Sequence, residues 1–143
     1  MPSPQDPAPD LAAESAPEST LPSSPEPRTL ANLASVLADA RPDQRGALWS
    51  LTEPGRQLDA NLVQLPADAT VDAHVEPDLD VLLLVVSGNG RLTTDQAIHD
   101  LFPSTLLWLP KGSRRALAAG PDGLVYLTTH RARPGMQIRP PQT

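Results

Sequence analysis

The sequence predicts an all-β domain, a small antiparallel barrel or sandwich, from Gly46 onward. Short apolar runs alternate with turn residues along this whole stretch, and no helical periodicity lies between the runs. The turn residues are mostly Gly, Pro, Asn and Asp, which accept the backbone conformations of tight turns. Because parallel strands need long crossover connections, strands this close together favour antiparallel pairing.

Most of the expected strands are bounded by clear turn signals. The segment Ser87-Gly88-Asn89-Gly90 suits a tight hairpin, since Asn and Gly tolerate positive φ. The segment Gly120-Pro121-Asp122-Gly123 predicts a second turn. The expected strands are residues 47–51, 57–65, 70–75, 79–86, 91–94, 97–101, 105–109, 115–118 and 124–130.

Helical periodicity is confined to residues 29–41, where Leu33 and Leu37 belong to an apolar series spaced by three and four residues. Thr29 is an acceptable N-cap and Pro42 is expected to end the helix. A helix this short needs a surface on which to pack.

The segment 1–28 differs in composition from the rest of the chain. It contains eight of the 18 prolines and five acidic residues against one arginine. Its apolar surface is too small to offset the entropy lost on ordering, so we expect a disordered acidic tail. We assign residues 29–41 to the helix and residues 46–139 to the barrel.

Charge and composition exclude several classes of protein. The formal net charge is −6, which does not suit a nucleic-acid-binding surface. The segment 81–86 is the longest apolar run of the domain and is too short to span a bilayer. The start of the chain lacks the features of a signal peptide, and there is no cysteine for disulfide or thiol chemistry. We therefore expect a cytoplasmic protein without nucleic-acid or membrane partners.

The strand at 79–86 is apolar on both faces after Asp80. An antiparallel strand usually alternates, with one face in the core and one in water. The outer face here needs a cover, which is the helix at 29–41, a second sheet or another subunit. We favour another subunit and therefore expect a homodimer.

Two motifs resemble those of the cupin superfamily. The first runs from His74 and Glu76 through Asp80 into the apolar strand and ends in the Gly88–Gly90 turn, and the second is Pro110-Lys111-Gly112-Ser113-Arg114-Arg115. The resemblance covers residues 46–130. It implies a small jelly-roll-like barrel, with the side chains of both motifs converging on one site.

Cupins that bind a divalent metal use two His and one Glu from the first motif and one His from the second. The resemblance maps these four positions onto His74, Glu76, Val81 and Arg115. Valine cannot ligate a metal, and the guanidinium of arginine is a permanent cation without an acceptor. We therefore expect no metal cofactor; if a divalent metal binds, His74 and Glu76 are the remaining ligands.

The altered positions have two interpretations. Glu76 and Arg115 are expected to form an ion pair where the metal would lie, with His74 beside it. The period-two pattern of Asp72, His74 and Glu76 is also typical of an ordinary solvated strand face. His99 and His130 are expected to be structural or surface residues, and Arg131 and Arg133 to be surface residues. Trp108 and Tyr126 are expected to be core residues, with a role in lining the pocket as the alternative.

Three functions remain open from the sequence. The first is binding of a small organic ligand by His74, Glu76 and Arg115 without metal catalysis. The second is a metal-dependent cupin enzyme of the dioxygenase, isomerase or decarboxylase type with an atypical ligand set. In another form of this enzyme hypothesis, His74 acts as a general base that Glu76 orients. The third is a structural or regulatory dimeric module. Many functions share one barrel, so enzymatic activity is not decided by the fold.

Overall fold

The structure, a computed structural model, describes residues 25–133. The described residues belong to two units, 25–32 and 33–133. In the first unit, the described residues 25–32 form no helix or strand. Most of the predicted acidic tail and the end of the predicted barrel, after residue 133, lie outside the described residues. Within the described part, no helix has the length and apolar character needed to cross a membrane.

The second unit contains one helix and seven strands in its described part. They are α1 (Leu33–Asp39), β1 (Gly46–Ser50), β2 (Leu58–Leu65), β3 (Thr70–Val75), β4 (Val81–Thr94), β5 (Ile98–Leu101), β6 (Leu106–Leu109) and β7 (Arg114–Arg131). All strand pairs are antiparallel. The predicted all-β class is therefore confirmed.

The helix is shorter than the predicted 29–41. It has seven residues, none of them buried, and Thr29 lies before it rather than at its N-cap. A helix without a buried face gains little from packing, which explains its small length. The segment after it is held by the side-chain amide of Gln64, which donates to the carbonyl oxygens of Arg41 at 2.7 Å and Gln44 at 2.9 Å.

The two predicted turns at 87–90 and 120–123 are instead bends inside the long strands β4 and β7. The ladder between these strands is irregular from Val85 to Gly90, as expected of β-bulges. Gly88 (φ 76°) and Gly123 (φ 80°) face each other at the bend, where a Cβ on Gly88 would overlap the carbonyl oxygen of Gly123. The glycines therefore bend two paired strands together. They end neither strand, and the hairpin prediction at Asn89-Gly90 was wrong.

The bends fold one sheet into two layers. The first half of β4 pairs with β6 and the second half with β5, while β7 pairs with β3 by its first half and with β2 by its second half. The strand order along the main path is β1-β2-β7-β4-β5. Strands that pass from one layer to the other at glycine bends are typical of small barrels.

The core lies between the two layers. Leu83 and Val85 of the first layer and Leu92 and Leu101 of the second are each at most 1% exposed. Tyr126 belongs to the same cluster, as predicted. The cluster comprises Leu65, Val81, Leu83, Val85, Leu92, Leu101, Leu109, Leu117, Ala119, Leu124 and Tyr126.

Trp108 does not belong to the core. It is 65% exposed on the outer side of β6, so the prediction that it is a core residue was wrong. Its strand is only four residues long and its neighbours Leu107 and Leu109 take the inward positions. Alternation along a strand then forces the ring outward.

Candidate functional site

The two sequence motifs meet at one end of the barrel through backbone hydrogen bonds. The N–H of Gly112 donates to the carbonyl oxygen of Glu76 at 2.8 Å, and the N–H of Lys111 donates to Oδ1 of Asp80 at 2.9 Å. Gly112 has a φ of 83°, a conformation that suits glycine. The turn after β6 is thereby fixed against the segment between β3 and β4.

Arg115 is buried at this end of the barrel. It is 7% exposed and lies on the same face of β7 as the core residue Leu117. Its Nη1 donates to the carbonyl oxygen of Ser113 at 3.3 Å and contacts the hydroxyl at 3.5 Å. Within residues 25–133, its Nε and Nη2 have no hydrogen-bond partner. Burial lowers the pKa of Arg115, and the charge of Glu76 partly opposes this shift.

Glu76 is an anion held by several donors. Its Oε2 accepts a hydrogen bond from the N–H of Asp78 at 2.9 Å, and its Oε1 is paired with the guanidinium of Arg133. The pKa of Glu76 is lowered first by the hydrogen bond from Asp78 and then by the one from Arg133, while burial raises it; the charges of Arg133 and Arg115 lower it further. Glu76 therefore stays ionised well into acidic pH.

The expected ion pair between Glu76 and Arg115 is not formed. Arg133 takes the carboxylate, and among the described residues no N···O distance between Glu76 and Arg115 falls within 4.0 Å. Arg115 acts on Glu76 only through its charge. Arg133 follows the end of β7 and reaches the carboxylate of Glu76 from the rim of the barrel. It therefore takes the position that Arg115 was expected to occupy.

His74 lies directly opposite Arg115 in the ladder between β3 and β7. Its side chain is exposed, and its Nδ1 donates to the carbonyl oxygen of Asp72 at 3.1 Å. No hydrogen bond joins His74 to Glu76 in the described part of the chain. The structure therefore brings the three predicted residues to one end of the barrel, with Arg115 buried, Glu76 half-buried and His74 exposed.

These residues do not fit a divalent metal. The described residues contain no group of three or more His, Cys, Asp or Glu side chains in metal-binding proximity. The carboxylate of Glu76 is engaged by Arg133, and a second cation, Arg115, lies nearby. Two guanidinium groups around one carboxylate suit an anion better than a cation.

A cavity of about 440 Å³ is lined by residues next to the buried arginine in sequence and in the sheet, although Arg115, Glu76 and His74 do not themselves line it. Ser113, the hydrogen-bond partner of Arg115, lines it together with Thr94, which pairs with Arg115 in the ladder between β4 and β7. The apolar wall includes Leu92 and Leu109. Half of the lining residues are polar or charged, Asp95, His99 and Arg114 among them, and the volume is within the range of small-molecule sites.

Sequence reasoning missed the role of Arg133, which was expected to be a surface residue. Arg133 and Glu76 are 57 residues apart, and neither position carries a local pattern that reveals the pair. A paired acid and base at two strand ends become neighbours only through the order of strands in the sheet. His99 is exposed and His130 half-buried, in agreement with the expected surface or structural positions.

No family model matches the sequence, and no curated protein matches it. Solved structures do match. A cupin superfamily protein from Desulfitobacterium hafniense has a TM-score of 0.59 at 24% identity, covering 76% of this chain and 94% of that one. The cupin domain of Cnp3 from Schizosaccharomyces pombe has a TM-score of 0.54 at 16% identity, covering 59% of each chain.

A DMSP lyase, DddQ from Ruegeria pomeroyi, has a TM-score of 0.53 at 20% identity, covering 60% of this chain and 46% of that one. The chain thus spans about three fifths of the length of the Cnp3 domain and less than half of the lyase. The similar structures include an enzyme and proteins described only as cupin domains. What they share with this chain is the fold.

Proposed function

From the cupin fold of this chain we propose that the barrel binds a small organic ligand without the metal catalysis usual in that fold. The single observation behind the proposal is the burial of Arg115 with Nε and Nη2 left without hydrogen-bond partners among residues 25–133. A buried cation with free donors is unfavourable in the free protein. A ligand that supplies an acceptor removes this penalty.

The chemistry of the site favours an anionic ligand. Arg115, Arg133 and Glu76 together carry one excess positive charge. A carboxylate matches the planar fork of a guanidinium in two parallel hydrogen bonds. The apolar wall at Leu92 and Leu109 accommodates the body of the ligand, and His74, which lies opposite Arg115 in the ladder, contributes an exposed polar group.

Thermal unfolding of the full chain tests this proposal. Benzoate, succinate and inorganic phosphate serve as probes, each measured against a neutral amide or sugar of similar size. A ligand at one hundred times its Kd stabilises the folded state by about 2.7 kcal/mol, so a bound anion raises Tm by several degrees. The rise is expected to disappear in Arg115→Met and to persist in Arg41→Met, an exposed arginine that does not line this cavity. If no anion raises Tm, anion binding is refuted.

Metal analysis of the purified full chain tests the enzymatic alternative. We expect no stoichiometric iron, manganese, zinc or nickel. A metal present at one equivalent and lost in His74→Ala would refute binding without a metal and favour the metal-dependent enzyme with an atypical ligand set.

A further inference from the structure

The inward faces of β2 and β7 change from apolar to polar toward the end of the barrel where the two motifs meet. On β2, Leu65 belongs to the core cluster and Val63 packs against it, and the next inward residue is Asn61. On β7, Tyr126 belongs to the cluster and the next inward residue is Thr128. The apolar packing of these two strands therefore stops one residue pair before Asn61 and Thr128.

Ser50, Asn61 and Thr128 form one row across β1, β2 and β7, which we name the inner polar row. Ser50 pairs with Asn61, and Asn61 pairs with Thr128. Directly paired residues share a face of the sheet, and Thr128 also pairs with the core residue Leu83, so the row lies on the inward face. All three residues are half-buried, so solvent reaches this part of the interior.

The inner polar row presents hydrogen-bonding groups that the described protein does not use. The hydroxyl of Ser50 donates to Oδ1 of Asn61 at 2.6 Å, which orients the amide. Among residues 25–133, neither Nδ2 of Asn61 nor the hydroxyl of Thr128 has a hydrogen-bond partner.

Tyr126 adds a third such group one residue pair deeper in the barrel. It is 7% exposed, and its hydroxyl has no hydrogen-bond partner in the described part of the chain. Burial raises the pKa of Tyr126, so the hydroxyl keeps its proton at neutral pH. A buried hydroxyl without a partner is unfavourable, and a bound polar molecule relieves this penalty.

The inner polar row faces the layer that carries Arg115. β7 passes from one layer to the other at the bend 120–123, and Arg115 lies five residues before this bend while Thr128 lies five residues after it. The ion pair between Glu76 and Arg133 joins the ends of the two layers. Because packed layers lie about 10 Å apart, only a short molecule fits between the guanidinium and the row.

Building on the anion binding proposed above, we propose that the inner polar row determines specificity and selects a short hydroxy acid. Arg115 binds the carboxylate, Nδ2 of Asn61 donates to the ligand hydroxyl, and Thr128 accepts the hydrogen of that hydroxyl. The row carries no charge, so it suits an uncharged hydroxyl better than a second carboxylate. An acid without the hydroxyl leaves these groups unsatisfied, which is how polar sites reject such analogues.

Isothermal titration calorimetry of the full chain with butyrate and with 2-, 3- and 4-hydroxybutyrate tests this specificity. At least one hydroxy acid is expected to bind about tenfold or more tightly than butyrate. Thr128→Val and Asn61→Leu remove the polar groups with little change in volume. Each is expected to weaken binding of that hydroxy acid by about fivefold or more and to leave the Kd of butyrate within about twofold.

Thr129→Val is the matched control, because Thr129 is also half-buried but lies on the outward face, opposite the exposed Leu82. It is expected to change neither Kd. Urea unfolding without ligand shows whether the variants are folded. Thr128→Val is expected to be at least as stable as the wild type, because it removes a hydroxyl without a partner.

The outcomes separate this inference from anion binding itself. If butyrate and the hydroxy acids bind equally and Arg115→Met abolishes all of them, the anion site stands and the role of the inner polar row is refuted. If no anion binds, both proposals fail. Loss of hydroxy-acid binding in Thr129→Val as large as in Thr128→Val would also overturn the assignment of the row.

Discussion

The guanidinium of Arg133 holds the carboxylate of Glu76 across 57 residues of sequence, at the end of the barrel where the two motifs meet. This pair decides the electrostatics of the candidate site. It neutralises Glu76 and leaves the charge of the buried Arg115 without a contacting anion.

The hydrogen bond from the N–H of Asp78 to Glu76, together with the pair with Arg133, predicts a loss of stability in acid. The pKa of Glu76 in the folded protein lies below its ordinary value, so the stabilisation from its charged form is complete above that value. It is lost as the pH falls through the lowered pKa. Glu76→Gln is expected to lower stability by about 1–2 kcal/mol at neutral pH and to reduce the loss of stability below about pH 4.5. Urea unfolding between pH 7 and pH 3 measures both effects, and parallel curves for wild type and variant would contradict them.

Arg115 is expected to serve ligand binding and to lower the stability of the folded protein. Arg115→Met keeps much of the side-chain volume and removes a poorly satisfied buried charge. Replacing buried charges with apolar groups is often neutral or stabilising, so the free energy of unfolding is expected to be unchanged or to rise by about 1 kcal/mol. Urea unfolding checks this, with Arg114→Met as the exposed control. A loss greater than about 2 kcal/mol would assign Arg115 a structural role instead.

The glycine bend predicts that substitution by alanine costs more stability at Gly88 than at Gly55, although both glycines have a positive φ. Gly88→Ala places a Cβ against the carbonyl oxygen of Gly123 in the middle of paired strands, and we expect a loss of about 3 kcal/mol or more. Gly55 has a similar φ of 74° with no atom within 4 Å of an added Cβ. Gly55→Ala is therefore expected to cost only about 1 kcal/mol. Equal losses in thermal unfolding would show that the close approach at Gly88 is unimportant.

Two adjacent leucines of β4 face opposite sides of the first layer. Leu83 is 1% exposed, and Leu83→Ala is expected to lower the free energy of unfolding by about 2–5 kcal/mol. Leu82 is 48% exposed, so Leu82→Ala is expected to cost less than about 1 kcal/mol in the monomer. Urea unfolding measures both losses, and a Leu82→Ala variant as unstable as Leu83→Ala would refute this assignment of faces.

The sequence by itself determined the strand content and the meeting of the two motifs. Alternating apolar runs and the Pro110-Lys111-Gly112 turn are local signals, because side-chain alternation and glycine conformation act over a few residues. The cupin fold and the meeting of the motifs were implied by the resemblance of the two motifs to that superfamily, and similar structures now support the fold.

Tertiary structure alone decided which charges pair, where the strands bend and which apolar side chains stay exposed. Gly88 continues a strand instead of ending it because Gly123 of β7 lies against it. Glu76 pairs with Arg133 instead of Arg115 because strand order brings the end of β7 to the rim. These outcomes depend on distances between segments remote in sequence, and no local pattern of residues contains such distances.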